Sequence, residues 1–300
     1  MNRRGFTLTE LLMSLTVLSI MGVAMTRMLI NDSRFISRQD AMLMARQASR
    51  AALNTIVAEI AMVGDTGVVA ATRDSFTVRI QVAFGITCRA GSSTTRIVSF
   101  LPVDSVAWVS ADTTGFLWRQ RNGIYKRNWG VPIATTSAAA DSGKCKADSV
   151  RMLPGGKLIK VASLASTPCS TASNLFNSTA SNCQPDSLAV AMLYSRITYK
   201  FEASADLPGR IGLWRIQYYN STPEELVAPF DTSARFAYLM GGPNTATLTL
   251  RTSTVTGAGL DSIRGIELRL HGASEKAAQG TSAPQVFRLK TRVRFANKVK

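Results

Sequence analysis

Residues Phe6 to Thr26 read FTLTELLMSLTVLSIMGVAMT, and the architecture of the chain follows from them. They carry one charge, Glu10, and no proline. As a helix rising ~1.5 Å per residue they extend about 31 Å, close to the ~30 Å hydrocarbon thickness of a bilayer. The segment therefore reads as a membrane span. Arg3 and Arg4 precede it in a short polar stub and place the amino end on the cytoplasmic side, although Arg27, Arg34 and Arg38 on the far flank pull against that orientation. A cleaved secretory signal calls for a shorter apolar core and an A-x-A-like site. Val23-Ala24-Met25 matches that site poorly, and apolar character continues to Ile30. A plain anchor does not explain Glu10, because an acid at mid-bilayer costs about 2.5 to 3.5 kcal/mol and is rarely kept without a partner.

Beyond the span the helical period continues. At ~100° per residue, Ala45, Ala48, Ala52, Ile56, Ile60 and Val63 fall on one face, with Arg46, Arg50 and Asn54 opposite. Gly64 is a natural stop. The expectation is one helix from Phe6 to Val63, about 87 Å long. Residues 6–30 serve the membrane and residues 31–64 form an amphipathic half that serves a folded domain.

From 65 to 300 the chain is expected to be mainly β. Phe76, Val78, Ile80, Val82 and Phe84 alternate with Thr77, Arg79, Gln81 and Ala83, the pattern of a half-buried antiparallel strand. Less regular runs follow at Ile97 to Val103, Val106 to Val109, Gly115 to Trp118 and Ile124 to Trp129, with Gly123 suited to a turn; a meander is the simplest reading. About residues 134–187 the composition shifts to Ser, Thr, Ala, Asn, Gly and Pro with one apolar run, Leu158 to Leu164, which marks an insertion or a boundary between lobes. Strands resume at Leu188 to Phe201, Leu213 to Tyr219, Arg235 to Leu239, Thr247 to Arg251, Ile263 to Leu270 and Val286 to Phe295. The fold class is α+β: a long amino-terminal helix packed on a mainly antiparallel sheet.

In the last strand Phe287, Leu289, Val293 and Phe295 share one face with Thr291, and Arg288, Lys290, Arg292 and Arg294 share the other. Such a row blunts an exposed sheet face or edge against aggregation. It also offers a surface to an anionic partner, an acidic subunit or nucleic acid, in a chain whose 35 Lys and Arg against 19 Asp and Glu leave +16. Four cysteines, Cys88, Cys145, Cys169 and Cys183, lie beyond the span where disulfides form, and allow three connectivities. Pairing Cys169 with Cys183 closes a short loop and is favoured; Cys88 with Cys145 then follows.

Apolar residues at 46% and charged residues at 18% exclude wholesale disorder. Catalysis finds little support. His271 is the one histidine, expected as an ordinary surface residue at a strand end, and no Cys or His spacing suits a metal. Gly257-Ala258-Gly259-Leu260-Asp261-Ser262 lacks the third glycine of a dinucleotide fingerprint, and Leu153-Pro154-Gly155-Gly156-Lys157 lacks the spacing of a phosphate loop. No catalytic residue, metal site or cofactor is expected, and no enzyme.

Arg3-Arg4-Gly5-Phe6-Thr7-Leu8-Thr9-Glu10-Leu11, a short basic leader ending in Gly, then Phe-Thr-Leu-x-Glu, then a long apolar helix, resembles the class III leader of type IV pilins and type II secretion pseudopilins. The resemblance implies that a prepilin peptidase cuts between Gly5 and Phe6 and N-methylates Phe6. It also implies that Glu10 pairs with the Phe6 amine of a neighbouring subunit in a filament. A carboxylate and an ammonium that are each costly in lipid offset one another there, and their pairing sets axial register. Glu10 sets the chain apart from K-type tip pseudopilins, which typically lack it. The run Met44 to Arg50, the segments Ile197 to Phe201 and Leu213-Trp214-Arg215, and the terminal strand are similar to W-type minor pilins and J-type minor pseudopilins. The partners implied are the peptidase, major and minor pilins or pseudopilins, and inner-membrane lipid before assembly. The location implied is a single pass of the inner membrane with a periplasmic domain, then a pilus or pseudopilus.

Overall fold

The computed structural model describes residues 7–61, 63–64, 67–88, 95–100, 103, 113–119, 125–129, 133–135, 145, 158–162, 189–218, 222–242 and 247–295. Gly5, Phe6, the expected strand at Val106 to Val109, the turn at Gly123, Cys169, Cys183 and most of the 134–187 segment lie outside the described residues.

One helix, α1 (Leu8–Ile60), opens the structure. Thr7 is its N-cap in extended conformation, and Thr7 and Glu10 exchange hydrogen bonds as a capping box, so the first turn has its own start signal. No proline interrupts the next 53 residues, and the helix runs unbroken through Gly22. It ends three residues before Val63 instead of at Gly64. Val63 is buried in the core, and the chain turns there through Gly64 and Gly67, whose N–H reaches the Gly64 carbonyl at 3.0 Å. A Cβ on Gly67 would lie 2.8 Å from that carbonyl oxygen, so the turn needs a residue without one.

Among the described residues fourteen strands follow: β1 (Val68–Ala71), β2 (Ser75–Thr87), β3 (Thr95–Phe100), β4 (Thr113–Arg119), β5 (Tyr125–Trp129), β6 (Ile133–Thr135), β7 (Leu158–Ala162), β8 (Val190–Ala203), β9 (Ile211–Gln217), β10 (Glu224–Phe230), β11 (Arg235–Met240), β12 (Thr249–Arg251), β13 (Ile263–Ala277) and β14 (Pro284–Arg294). Their order in the sheet is β12-β11-β13-β10-β9-β8-β2-β3-β7-β6, with β1 on β2, β14 on β13, and β4 on β8 carrying β5. This is no meander. The long strands β2 and β8 pair from Ser75↔Lys200 to Ile86↔Val190, across more than a hundred residues of sequence. Each is long enough to hold two neighbours end to end on its other edge: β8 takes β9 and β4, and β2 takes β1 and β3. The register slips between Gln81 and Ala83, where the larger core gives way to a smaller one around Phe100, Phe116, Trp118 and Leu193.

The larger core lies between α1 and the sheet. Ala52, Ile56 and Ile60 meet Phe76, Tyr199, Phe236, Tyr238, Leu268 and Leu270 there, and Phe295 closes one side. The predicted stripe is the one buried: Ala45, Ala48, Ala52, Ile56 and Ile60 face the sheet, while Arg46, Arg50 and Asn54 are exposed. The closest approach is at Gly272 of β13. Its N–H donates to Ser49 Oγ at 3.0 Å, and Ser49 Oγ donates to the carbonyls of Ala45 and Leu270, each at 3.0 Å. A Cβ on Gly272 would stand 2.1 Å from the Ala45 carbonyl oxygen. Gly272→Ala is expected to lower stability by about 1 to 3 kcal/mol through overpacking against helix backbone, read as a downward shift of the thermal unfolding midpoint of the full chain in detergent. An unchanged midpoint would show that the helix does not sit this close.

Candidate functional site

The first twenty-five residues of α1, Leu8 to Asp32, are each exposed. The helix holds an 18-residue window of mean hydropathy 1.8, none of it buried. Fourteen large apolar side chains from Leu8 to Ile30 stand open. At roughly 1.5 to 3 kcal/mol for each side chain left out of an apolar environment, that exposure costs on the order of 20 to 40 kcal/mol, more than the ~5 to 15 kcal/mol net stability of a typical domain. The segment needs lipid or other helices around it. The hydroxyls of Ser14, Thr16, Ser19 and Thr26 donate to carbonyls three or four residues back, which satisfies them without water, and Thr9 Oγ1 shares a hydrogen bond with Thr7 Oγ1. Between Leu8 and Thr26, Glu10 is then the charged group left to account for. Its carboxylate lies over the first turn, accepting from Thr7 N at 3.2 Å and Thr7 Oγ1 at 3.0 Å, and so points toward the chain start.

Where the domain begins to grip the helix is equally defined. Ser33 Oγ donates to Gln279 Oε1 at 2.8 Å, and Gln279 N donates to Ser37 Oγ at 3.0 Å, so the turn between β13 and β14 clasps α1 just past the bare segment. At the other end Glu59 accepts two bonds from Arg215 of β9, Nη2 at 3.1 Å and Nε at 3.3 Å, and a further one from the Tyr199 hydroxyl of β8. This carboxylate fixes the rotation of α1 on the sheet. Burial, then the Glu59 charge and hydrogen bond, push the Tyr199 hydroxyl far up, so it stays a neutral donor. Glu59 was not legible in the sequence, since the helical pattern marks it only as polar.

The cationic row lies as the alternation predicts, with Arg288, Lys290, Arg292 and Arg294 exposed and Leu289, Thr291 and Val293 turned toward the helix side. One acid stands among them. Glu267 of β13 is fully covered and accepts from Arg269 Nε and Arg292 Nε, each at 2.8 Å, with Lys290 Nζ at 3.5 Å. Burial raises its carboxyl, but the hydrogen bonds from Arg292 and Arg269 and the Lys290 charge outweigh that and hold it below its ordinary range.

His271 is not a surface residue at a strand end. It lies within β13, partly buried, with Nδ1 2.6 Å from Ser233 Oγ. β13 runs seven residues past the expected Leu270 because β14 pairs with it along its length. The Ser233 hydroxyl donates to Asp231 Oδ1, so neutral His271 carries its proton on Nδ1 and leaves Nε2 as the acceptor. The serine stands between acid and imidazole, the wrong order for a nucleophile activated by its histidine. Burial and then Arg288 depress the His271 pKa; Asp231 opposes them, and Arg235 and Arg269 add to the depression.

Cys88 and Cys145 are joined as a disulfide that ties the end of β2 to a residue of the 134–187 segment. Residues Gly257–Ser262 form a 3-10 turn leading into β13 rather than a nucleotide loop. No cluster of three metal-ligating side chains occurs among the described residues.

The family model described as the prokaryotic N-terminal methylation motif matches residues 1–26, the stub and the bare half of the helix. That match supports a type IV pilin-like protein, processed by a prepilin peptidase and anchored through its first helix. No curated protein and no solved structure matches the chain.

Since folded His271 titrates below its unfolded value of 6.5, the unfolded chain binds the proton more readily, and stability falls as pH drops from about 6.5 toward the depressed value. Glu267, also depressed, adds a second loss below its unfolded value of 4.5. Denaturant unfolding at stepped pH is expected to show both declines, and His271→Gln to abolish only the upper one. A variant that keeps the upper decline would assign it elsewhere.

Proposed function

We propose that this chain is a structural minor pilin of a type IV pilus, one that primes or caps filament assembly after leader removal. The observation that carries the reading is the bare half of α1, apolar on every side, with a single acid in its first turn beneath a matching methylation motif. A lipid anchor needs the apolar length but not the acid. A filament subunit needs both, because Glu10 gives a docking neighbour's Phe6 amine a countercharge at one axial position. Gly5 and Phe6 are the proposed cleavage site, and Phe6 the proposed methylation site. The domain, clasped to the helix from Ser33 onward, would travel with it from the periplasmic face of the inner membrane into the filament. A J-type minor pseudopilin of a secretion system uses the same parts and is the second reading; a chain of 300 residues, larger than typical J-type subunits, favours the pilus. The methylation motif is that of structural proteins, in keeping with a non-enzymatic role.

Glu10→Ala is expected to leave leader removal intact, read as the mobility of the processed chain on a gel, yet to cut its recovery in sheared filaments by tenfold or more. Recovery at the normal level would sink the pairing argument. Glu10→Asp, which keeps the charge, is expected to restore part of the incorporation.

A further inference from the structure

Three adjacent strands bring cations abreast on the sheet face turned away from α1. Lys290 of β14 pairs with Arg269 of β13, and Arg269 pairs with Arg235 of β11. Arg288 lies opposite His271, Arg292 opposite Glu267 and Arg294 opposite Gly265. Like charges directly opposite one another in a sheet are destabilising. Here they occur twice in one row, with Glu267 as the acid beneath and Asp231 beside His271. Arg235 Nε is buried and finds no acceptor among the described residues. A local rule broken at a cost in stability, which two acids against six cations offset only in part, marks a functional surface.

Three kinds of anion could answer it, and the geometry separates them. Lipid headgroups are out of reach: Gly272, beside His271, sits on Ala45, and Ala45 is fifteen residues, about 22 Å of helix, past Ile30. That height is more than twice the ~8 Å screening length of physiological salt. A protein partner fits poorly, because interface cores are depleted in charge and built on aromatic or apolar anchors. On this face the apolar side chains between the cations, Ala237 and Leu239, are already buried. Nucleic-acid interfaces are instead polar and strongly positive. Outward side chains of a strand repeat every ~6.7 Å, so the row from Arg288 to Arg294 spans about 20 Å, along which B-DNA presents a charge every ~1.7 Å. Arg269 and Arg292 bond Glu267 through Nε, so their forks are held in place while neither spends an Nη on Glu267.

We propose that the outer face of β14, β13 and β11 binds the phosphodiester backbone of nucleic acid through Arg288, Lys290, Arg292, Arg294, Arg269 and Arg235, with His271 at one end beside Arg288. The contacts are to phosphate, so binding is independent of base sequence and steeply dependent on salt. It is independent of the filament reading: either can fail alone.

The test is fluorescence anisotropy of the full chain in detergent micelles with a short mixed-sequence DNA duplex. With four or more phosphate contacts, log K against log salt should have a slope of about −3.6 or steeper, an affinity loss on the order of 100-fold between about 50 and 200 mM salt. Arg288→Gln with Arg294→Gln, neither of which holds Glu267, should flatten the slope by about 2. Arg73→Gln with Arg251→Gln removes the same charge elsewhere and should leave the slope unchanged. Because His271 is the sole histidine, its ring signals in an NMR spectrum report the face without a mutation. The duplex should shift them and raise the apparent His271 pKa, while polyglutamate of equal charge should do neither. Equal losses in both double variants would reduce the effect to net charge and overturn the proposal. So would polyglutamate moving His271 as strongly as the duplex, which would mark an acidic protein surface as the partner.

Discussion

Ser49 on the helix and Gly272 on β13 form the contact on which the rest of the structure depends. The absence of a side chain at 272 lets helix and sheet backbones approach until one hydroxyl serves both, bonding two carbonyls and accepting an amide. The sheet is thereby locked to the second half of α1 at a fixed height, and Glu59 with Arg215 and Tyr199 fixes its rotation about the helix. The helix from Leu8 to Asp32 is left over by that geometry, and from Leu8 to Thr26 it is apolar but for Glu10 and a few hydroxyls.

One rigid rod therefore lives in two solvents. Its second half is an ordinary amphipathic core helix, small residues inward and charges outward, held by the larger hydrophobic core. Its first half has no inward side at all. A helix apolar all round is stable in lipid or among other such helices, and the transfer between those two environments costs little apolar burial. The membrane form and an assembled form of the same segment thus lie close in energy. On the proposed reading a single acid decides between them, because Glu10 is costly in lipid and would be compensated beside a neighbour's amine.

How far the sequence revealed this depends on the kind of signal. The bare and buried halves of α1 were legible because burial there follows a single period, read without knowing the partner. The strands with clean alternation, β2, β8 and β14, were legible for the same reason. Short β1 and β6 carry too few residues for a period, and β10, with Pro229 and two register shifts, has none. The pairing of β2 with β8 joins segments more than a hundred residues apart, which no local pattern encodes. The cationic row was visible along β14 alone. Arg235 and Arg269 join it only through register across three strands, and His271 acquires Ser233 and Asp231 only when the loop after β10 folds against β13.

The central claim is that the naked half of the helix is processed at its very start and then used as an assembly rod. Mass spectrometry of the amino-terminal peptide of the native protein, isolated from membranes and filaments, tests this most directly. The account requires a peptide beginning at Phe6 and heavier by one methyl group. Retention of Met1 to Gly5, or a new terminus beyond Ile30 that removes the apolar half altogether, would contradict it.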